Sequence, residues 1–390
     1  MIATLHAPPP ARDASPAPRG TPVHTDGSLN IRRIAINTGG GDAPGLNAVI
    51  RAATLTALEN GWEVLGIRRG YMGLLHDEVD GEPGMVPLSA ERVRGITHLG
   101  GTILGTTARG NLFGLEVRQS DGTWGDRDPS ADIMGRFAEM EIDALIAIGG
   151  DGSLKIAHRL FLKGLRVVGV PKTIDNDLSA TDMTFGFQTA VDVATEAIGR
   201  LHSTAEAHQR VMVVQVMGRH TGWIALESGL AGGADVILIP EIPFSAERIA
   251  EKIMERDRAR RRFSIVVIAE GAVPAGGLPS FVEGTGRYGG IGDRLAVELE
   301  ALTGKDTRCL TLGHIQRGGS PVPYDRNLAL RFGAAAVHAV ERGNFGCMVG
   351  LQGNHVRSVP LGDAVTDIKR VPIDDEVVRT ARRMGVSFGD

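Results

Sequence analysis

From Ile34 onward, short β-branched runs alternate with longer stretches whose apolar residues recur at helical spacing. Ile34–Ile36, Ala144–Ile148, Val167–Val170, Met212–Val216, Val236–Ile239 and Ile265–Ala269 read as buried strands. Leu46, Val49, Ile50, Ala53 and Leu58 fall on one face of a helix, as do Leu154, Ala157, Leu160 and Phe161. Strand–helix alternation of this kind predicts an α/β fold built on mainly parallel sheet. The runs also end alike, in GGGD, GGDGS, PKTIDND, MGR, PE and EG. Ligands of open α/β sheets bind outside the carboxyl ends of the strands. Six such endings at one edge therefore predict a catalytic cleft, set between two sheet-built lobes.

Residues 1–30 break the pattern. Six of the chain's 19 prolines fall within its first 22 residues, among Ala, Ser, Thr and Gly. Such a stretch buries too little apolar surface to offset its ordering entropy and reads as a flexible tail, with docking its one conceivable task. No internal repeat interrupts residues 31–390.

Composition narrows the class. At 390 residues the chain is long enough for two or three domains, and 42% hydrophobic with 23% charged residues is a globular balance. A net charge of −4 gives no electrostatic footprint for nucleic acid. Two cysteines, Cys309 and Cys347, make neither a disulfide framework nor a Cys-based zinc site. No run approaches the roughly 18 apolar residues of a membrane helix, and the N-terminus lacks an apolar secretion signal, so a cytoplasmic location is expected. The 53 glycines cluster after apolar runs, where a backbone must turn or approach a ligand closely.

Gly39-Gly40-Gly41-Asp42 follows a strand and opens a helix, which suits a phosphate cradle or simply a tight turn. Gly149-Gly150-Asp151-Gly152-Ser153 repeats the design with a carboxylate inside it, either a hard oxygen ligand for Mg²⁺ or a helix cap. Two such loops on one sheet favour phosphate. Thr173-Ile174-Asp175-Asn176-Asp177 places two carboxylates two residues apart, one able to take a proton while the other orients metal or water. In isolation an Asx turn explains it as well. Arg109, Arg210, Arg219, Arg308 and Arg317 flank apolar runs or glycine pairs and match phosphate geometry if they share a cleft.

Taken together, GGDAPGLNAVIR at 40–51, GGDGS at 149–153, PKTIDND at 171–177, MGRHTGW at 217–223, PEIPF at 240–244, AEG at 269–271 and LGHIQRGGSPVPYDR at 312–326 resemble the 6-phosphofructokinase family, in that family's order. The resemblance covers about residues 31–345. It implies two Rossmann-like lobes with mainly parallel sheets and the active-site cleft between them: 31–170 a donor-binding lobe, to which part of the C-terminal chain returns, 171–345 a sugar-phosphate-binding lobe, and 346–390 a segment packing back on both.

The resemblance also implies roles. Gly41, Arg109, Gly110, Gly150, Asp151, Gly152 and Ser153 would hold the phosphoryl donor, with Asp151 on Mg²⁺. Asp175 would take the proton from the sugar 1-hydroxyl, beside Thr173, Ile174 and Asp177, and Arg219 would stabilise the transferring phosphoryl group. Met217, Gly218, Glu270, His314, Ile315 and Gln316 would contact fructose 6-phosphate, whose phosphate would meet Arg210, Arg308 and Arg317. Arg210 and Arg308 would come from a neighbouring subunit, which implies a homo-oligomer, a dimer or a tetramer. Arg51 fits the family's effector region, while a second arginine expected there is Leu55.

Lys172 with Gly152 is a mixed donor signature: the lysine is usual in pyrophosphate-dependent relatives, which pair it with Asp at the position of Gly152. Glycine there leaves room for a nucleotide, so ATP is the expected donor and a pyrophosphate-dependent phosphotransferase the alternative. A non-catalytic regulatory subunit is a further alternative, against which the presence of Asp151, Asp175, Asp177 and Arg219 argues. A lipid or NAD kinase shares GGDG only.

Overall fold

Each apolar run becomes a strand whose alternate residues face opposite layers of helices. In the Arg33–Thr38 strand, Ile34 and Ile36 point into the helix pair Leu46–Glu59 and Pro323–Glu341, while Ala35 faces Asp151–Leu162 and Ser130–Glu139. The computed structural model describes residues 29–107, 112–113, 115–118, 124–282 and 287–390. Residues 1–28 of the Pro-rich tail, together with Arg109 and Gly110, lie outside the described residues.

The six runs divide between two sheets rather than sharing one edge. The larger, seven-stranded sheet has the order His355–Pro360, Cys347–Gln352, Val167–Pro171, Ala144–Gly149, Arg33–Thr38, Glu63–Ile67, Met85–Pro87. Its five inner strands are parallel and the two edge strands antiparallel. The smaller sheet, all parallel, runs Val236–Leu238, Ser264–Ala269, Val211–Val216, Thr307–Thr311. Helices cover both faces of each. In the second sheet Ala190, Ala194 and Ile198 pack on one side, and Ile249, Ile253, Leu295 and Leu299 on the other.

Chain order explains where a ligand can enter. From Arg33–Thr38 the chain winds one way to Glu63–Ile67 and then crosses back to Ala144–Gly149, so the two glycine loops leave adjacent strands at a topological switch point. Contacts between the lobes come from distant motifs. Asp325 is fully buried and its carboxylate accepts the Thr189 N–H at 2.7 Å and the Thr189 hydroxyl at 2.6 Å, capping the Phe187–His208 helix from another element. Gly333 lets the two long helices of the larger lobe touch: a Cβ there would lie 2.6 Å from the Val49 carbonyl. Helix Pro323–Glu341, although inside the 171–345 span, thus packs on the larger sheet. Among the described residues no helix is long and apolar enough to cross a membrane.

Candidate active site

The Gly39–Asp42 and Gly149–Ser153 loops lie against each other. A Cβ on Gly39 would sit 2.6 Å from Ser153 Oγ, and one on Gly149 would sit 2.3 Å from Ser153 Cβ. Gly40 has φ +80°, a left-handed conformation that side chains resist. Its N–H donates to the Thr107 carbonyl at 3.1 Å and its carbonyl accepts the Thr106 hydroxyl at 2.6 Å. By contrast, beyond its own turn of helix no atom of the described residues lies within 4 Å of where a Cβ on Gly152 would stand. Among the described residues no side chain caps the Asp151–Leu162 helix, so its first N–H groups are open to a ligand. Asp151 is therefore not the cap of its helix; its Oδ2 accepts from Lys155 Nζ at 2.9 Å.

Across these loops runs Lys172-Thr173-Ile174-Asp175-Asn176-Asp177. Lys172 is 3% exposed and its ammonium donates to the Gly41 carbonyl. Burial, then repulsion from Arg317, pushes its pKa down to about 8. Asp175 is pushed up to about 6, first by burial and then by the Asp177 carboxylate, while Arg317 and Arg219 act in the opposite direction. Burial also raises Asp177. One carboxylate oxygen of each, Oδ1, is buried with no hydrogen-bond partner among the described residues. A buried acceptor left unpaired is costly unless a ligand or proton meets it.

The second lobe supplies cations. Gly218 (φ +135°) turns sharply after its strand, and the Gly271 N–H donates to the Gly218 carbonyl at 3.0 Å. That turn leaves Arg219 half-exposed in the cleft, with its Nε 3.6 Å from Glu270 Oε1. Arg317 reaches back across the cleft and its Nη1 donates to the Asp42 carbonyl at 3.0 Å. The resulting cleft, of about 610 Å³, is walled by Gly40, Gly41, Gly150–Ser153, Lys172, Thr173, Asp175, Arg219 and Arg317.

The remaining expected residues separate into three groups. Ile174 and Gln316 are fully buried: Ile174 packs in the core with Ala43 and Phe187, and Gln316 accepts the Met217 N–H and donates to the Gly313 carbonyl. They support Met217 and the turn beneath the cleft. His314 and Ile315 are exposed on the short Gly313–Arg317 turn. Arg210 and Arg308 lie at the amino ends of their strands, both paired with Asp306, at the opposite end of the sheet from Gly218 and Arg317. At about 3.3 Å per residue that is roughly 15–20 Å away.

Sequence reasoning missed Asn47, whose amide donates to the Leu99 and Gly100 carbonyls while its Oδ1 accepts the Ile103 N–H, holding the loop behind Gly40. It also missed Glu241 and Lys369. The position of Glu241 at the end of the Val236–Ile239 run was a signal; Lys369 carried none.

A phosphofructokinase sequence profile matches residues 33–340. The chain belongs to the phosphofructokinase family. It is 54% identical over 359 residues, 92% of this chain and 98% of the relative, to an ATP-dependent 6-phosphofructokinase of Chloroflexus aurantiacus. It is 49% identical over 347 residues, 87% of this chain and 96% of the relative, to a pyrophosphate–fructose 6-phosphate 1-phosphotransferase of Amycolatopsis methanolica. Among solved structures, the phosphofructokinase of Saccharomyces cerevisiae superimposes with a TM-score of 0.73 at 33% identity, covering 86% of this chain and 45% of the yeast one.

Proposed function

We propose that this phosphofructokinase uses ATP to phosphorylate the 1-hydroxyl of fructose 6-phosphate, an early step of glycolysis in the cytoplasm. The observation that carries the donor assignment is the open space at Gly152, where a nucleotide's phosphate chain can cross the backbone without meeting a side chain. In this reading the larger lobe takes the donor and the smaller lobe the sugar phosphate.

Asp175 is suited to be the base. With a pKa near 6 it is a carboxylate at neutral pH, yet basic enough to accept a hydroxyl proton as the new bond forms. Arg219, half-exposed at the turn after Gly218, offsets charge on the transferred group, and Arg317 and Lys172 hold the phosphates on either side. Glu270 keeps Arg219 aimed into the cleft.

Among the described residues no cluster of three His, Cys, Asp or Glu could hold a metal alone. A half-buried Asp151 in the open glycine loop fits Mg²⁺, which keeps one or two carboxylates and takes its other ligands from phosphates and water. When bound it would neutralise charge on the donor phosphates. Arg109 and Gly110 belong to the donor set on family grounds.

Of the three arginines expected at the sugar 6-phosphate, Arg317 alone lies in this chain's cleft. Arg210 and Arg308 pair with Asp306 at the far end of the sheet, which supports the reading that they serve another copy's cleft in a homo-oligomer of at least two subunits. Lys172 and the Amycolatopsis relative favour a second reading, pyrophosphate as donor. Steady-state kinetics with fructose 6-phosphate and Mg²⁺ decides between them. A higher kcat/KM for ATP is expected; a higher one for pyrophosphate would transfer the assignment to the second reading, and turnover of neither would reject both. Mixing Arg210→Ala with Asp175→Ser subunits, each nearly inactive alone, should restore activity once subunits exchange; no recovery after proven exchange rejects the shared site.

A further inference from the structure

Asp367–Val371 lies as a strap over the loops of the smaller lobe. The Ser179 hydroxyl donates to the Asp367 carbonyl at 2.7 Å, and Leu178 and Ile368 form an isolated antiparallel bridge. The Lys369 N–H donates to the Asp177 carbonyl at 2.9 Å. Arg370 Nη1 donates to the His220 carbonyl at 2.9 Å, and the Val371 N–H to Glu241 Oε1 at 2.9 Å. That same oxygen accepts the Gly222 N–H at 3.1 Å. Five consecutive residues thus each reach a neighbouring segment, and four of them the loops that carry Asp175 or Arg219 into the cleft.

At the centre, Lys369 Nζ donates to Asn176 Oδ1, to the Thr181 carbonyl and to the Asp182 carbonyl, each at 2.9 Å. An ammonium has three protons, and all three are used. The lysine lies beside the Trp223 ring, 5.8 Å from its centroid, and the indole N–H donates to the Lys369 carbonyl at 2.9 Å. Burial pushes the amine down to about 8, against the pull of Asp182, Asp177 and Glu227, which leaves it mostly charged at neutral pH. Asn176 is the residue in the left-handed region (φ +50°) between the two carboxylates, and its Oδ1 also accepts the Thr184 N–H at 3.1 Å. Whatever holds the Asn176 side chain sets the direction of Asp175 on one side and Asp177 on the other.

We propose that Lys369 is a positioning residue for phosphoryl transfer, acting on Asp175 through the Asn176 turn. The proposal rests on the reading of Asp175 as the base. A base displaced by a fraction of an ångström loses turnover while the phosphate contacts that hold both substrates remain. A lysine that merely stabilised the fold would change the amount of active enzyme instead, and leave kcat per folded site alone.

The test uses Lys369→Met, which keeps a chain of similar length beside Trp223 and removes all three donors. In the folded variant kcat should fall about 10- to 100-fold, with both KM values within about twofold of wild type. Adding Asn176→Ala to Lys369→Met should cost little more, because both changes act through one turn and their effects do not add. Amide hydrogen exchange without substrates should quicken in residues 174–184. Ser179→Ala, which loosens the strap at its other end only, should stay near wild type. If Lys369→Met does not fold, Lys369→Gln takes its place in the same kinetics. Normal kcat, full additivity with Asn176→Ala, or an equal loss in Ser179→Ala would overturn the proposal. A wild-type protein without phosphotransfer would remove the functional reading, and is distinguished because the exchange comparison still reports whether Lys369 orders the turn.

Discussion

The two glycine loops resemble each other in sequence and differ in what surrounds them. Gly39–Asp42 is occupied by its own protein: Gly40 is tied at both ends to Thr106 and Thr107, the Gly41 carbonyl receives Lys172, and the Asp42 carbonyl receives Arg317. Side chains at 39 and 41 would run into Ser153 and Arg317. Gly150–Ser153 has the opposite character, with an uncapped helix start and free space over Gly152. The first loop is a hub that brings two cations to the cleft; the second is, in the proposed reading, the surface left for the donor. Glycine serves close packing in one and leaves open space in the other, and only neighbours distinguish the two.

The largest expected effect is at the open loop. Gly152→Asp places a carboxylate against the donor's phosphate chain, and kcat/KM for ATP should fall by about 10³-fold or more, with pyrophosphate use far less affected. Position 152 lies in the first turn of a helix, where an acidic residue is favourable, so Tm should hold or rise slightly. Equal losses for both donors would break the comparison, because the loop would then be as structural as the first.

Next comes Asp175, the proposed base between the loops. Asp175→Asn should lower kcat by at least about 10²-fold. In wild type kcat/KM should fall as pH drops through about 6 and, as Lys172 loses its proton, weaken again above about 8. The aspartate pair titrates jointly, so the lower value belongs to both carboxylates. Stability has its own sign. Because the folded pKa of Asp175 exceeds its unfolded value of 3.8, its charge destabilises the fold above about pH 6, and the penalty fades as pH falls toward 4. Asp175→Asn should therefore raise stability at pH 7.5 by roughly 1–3 kcal/mol and leave it unchanged near pH 4. Thermal unfolding at both values checks this.

At the packed loop the effect should be on folding. Gly39→Val forces a side chain into Ser153 and should cost about 1–3 kcal/mol of stability, seen as a lower Tm, with both donors affected alike. A selective loss of ATP use, with Tm unchanged, would mean that this loop also faces the donor. The smallest change is Lys155→Ala, which removes an exposed pair with Asp151 worth at most about 0.5 kcal/mol. Its value is as a control: kcat should stay within about threefold, provided Asp151 keeps its place without that lysine.

How far the site could be read in advance follows the range of the interactions. The strands Ala144–Gly149 and Val211–Val216 were legible because continuous β-branched runs mark buried parallel strands. Thr307–Thr311 was not, since it is an edge strand with mostly exposed residues and no apolar run. Asp175 and Asp177 were legible as a spaced carboxylate pair, but their raised affinity for protons depends on burial beneath another lobe. Ile174 and Gln316 belong to motifs whose neighbours face the cleft, and that their own side chains are buried beneath it is a matter of packing that the motif does not show.

The order of the motifs, the turns that need glycine and the alternation of strand and helix are local matters, settled by residues within a few positions of each other, and they are written in the chain. Which loop faces a ligand, which carboxylate holds a proton and which lysine orders the catalytic turn depend on Lys172 meeting Gly41, Arg317 meeting Asp42 and Lys369 meeting Asn176. Those pairs lie more than a hundred residues apart. Their strength comes from exclusion of water, which the packed lobes alone provide.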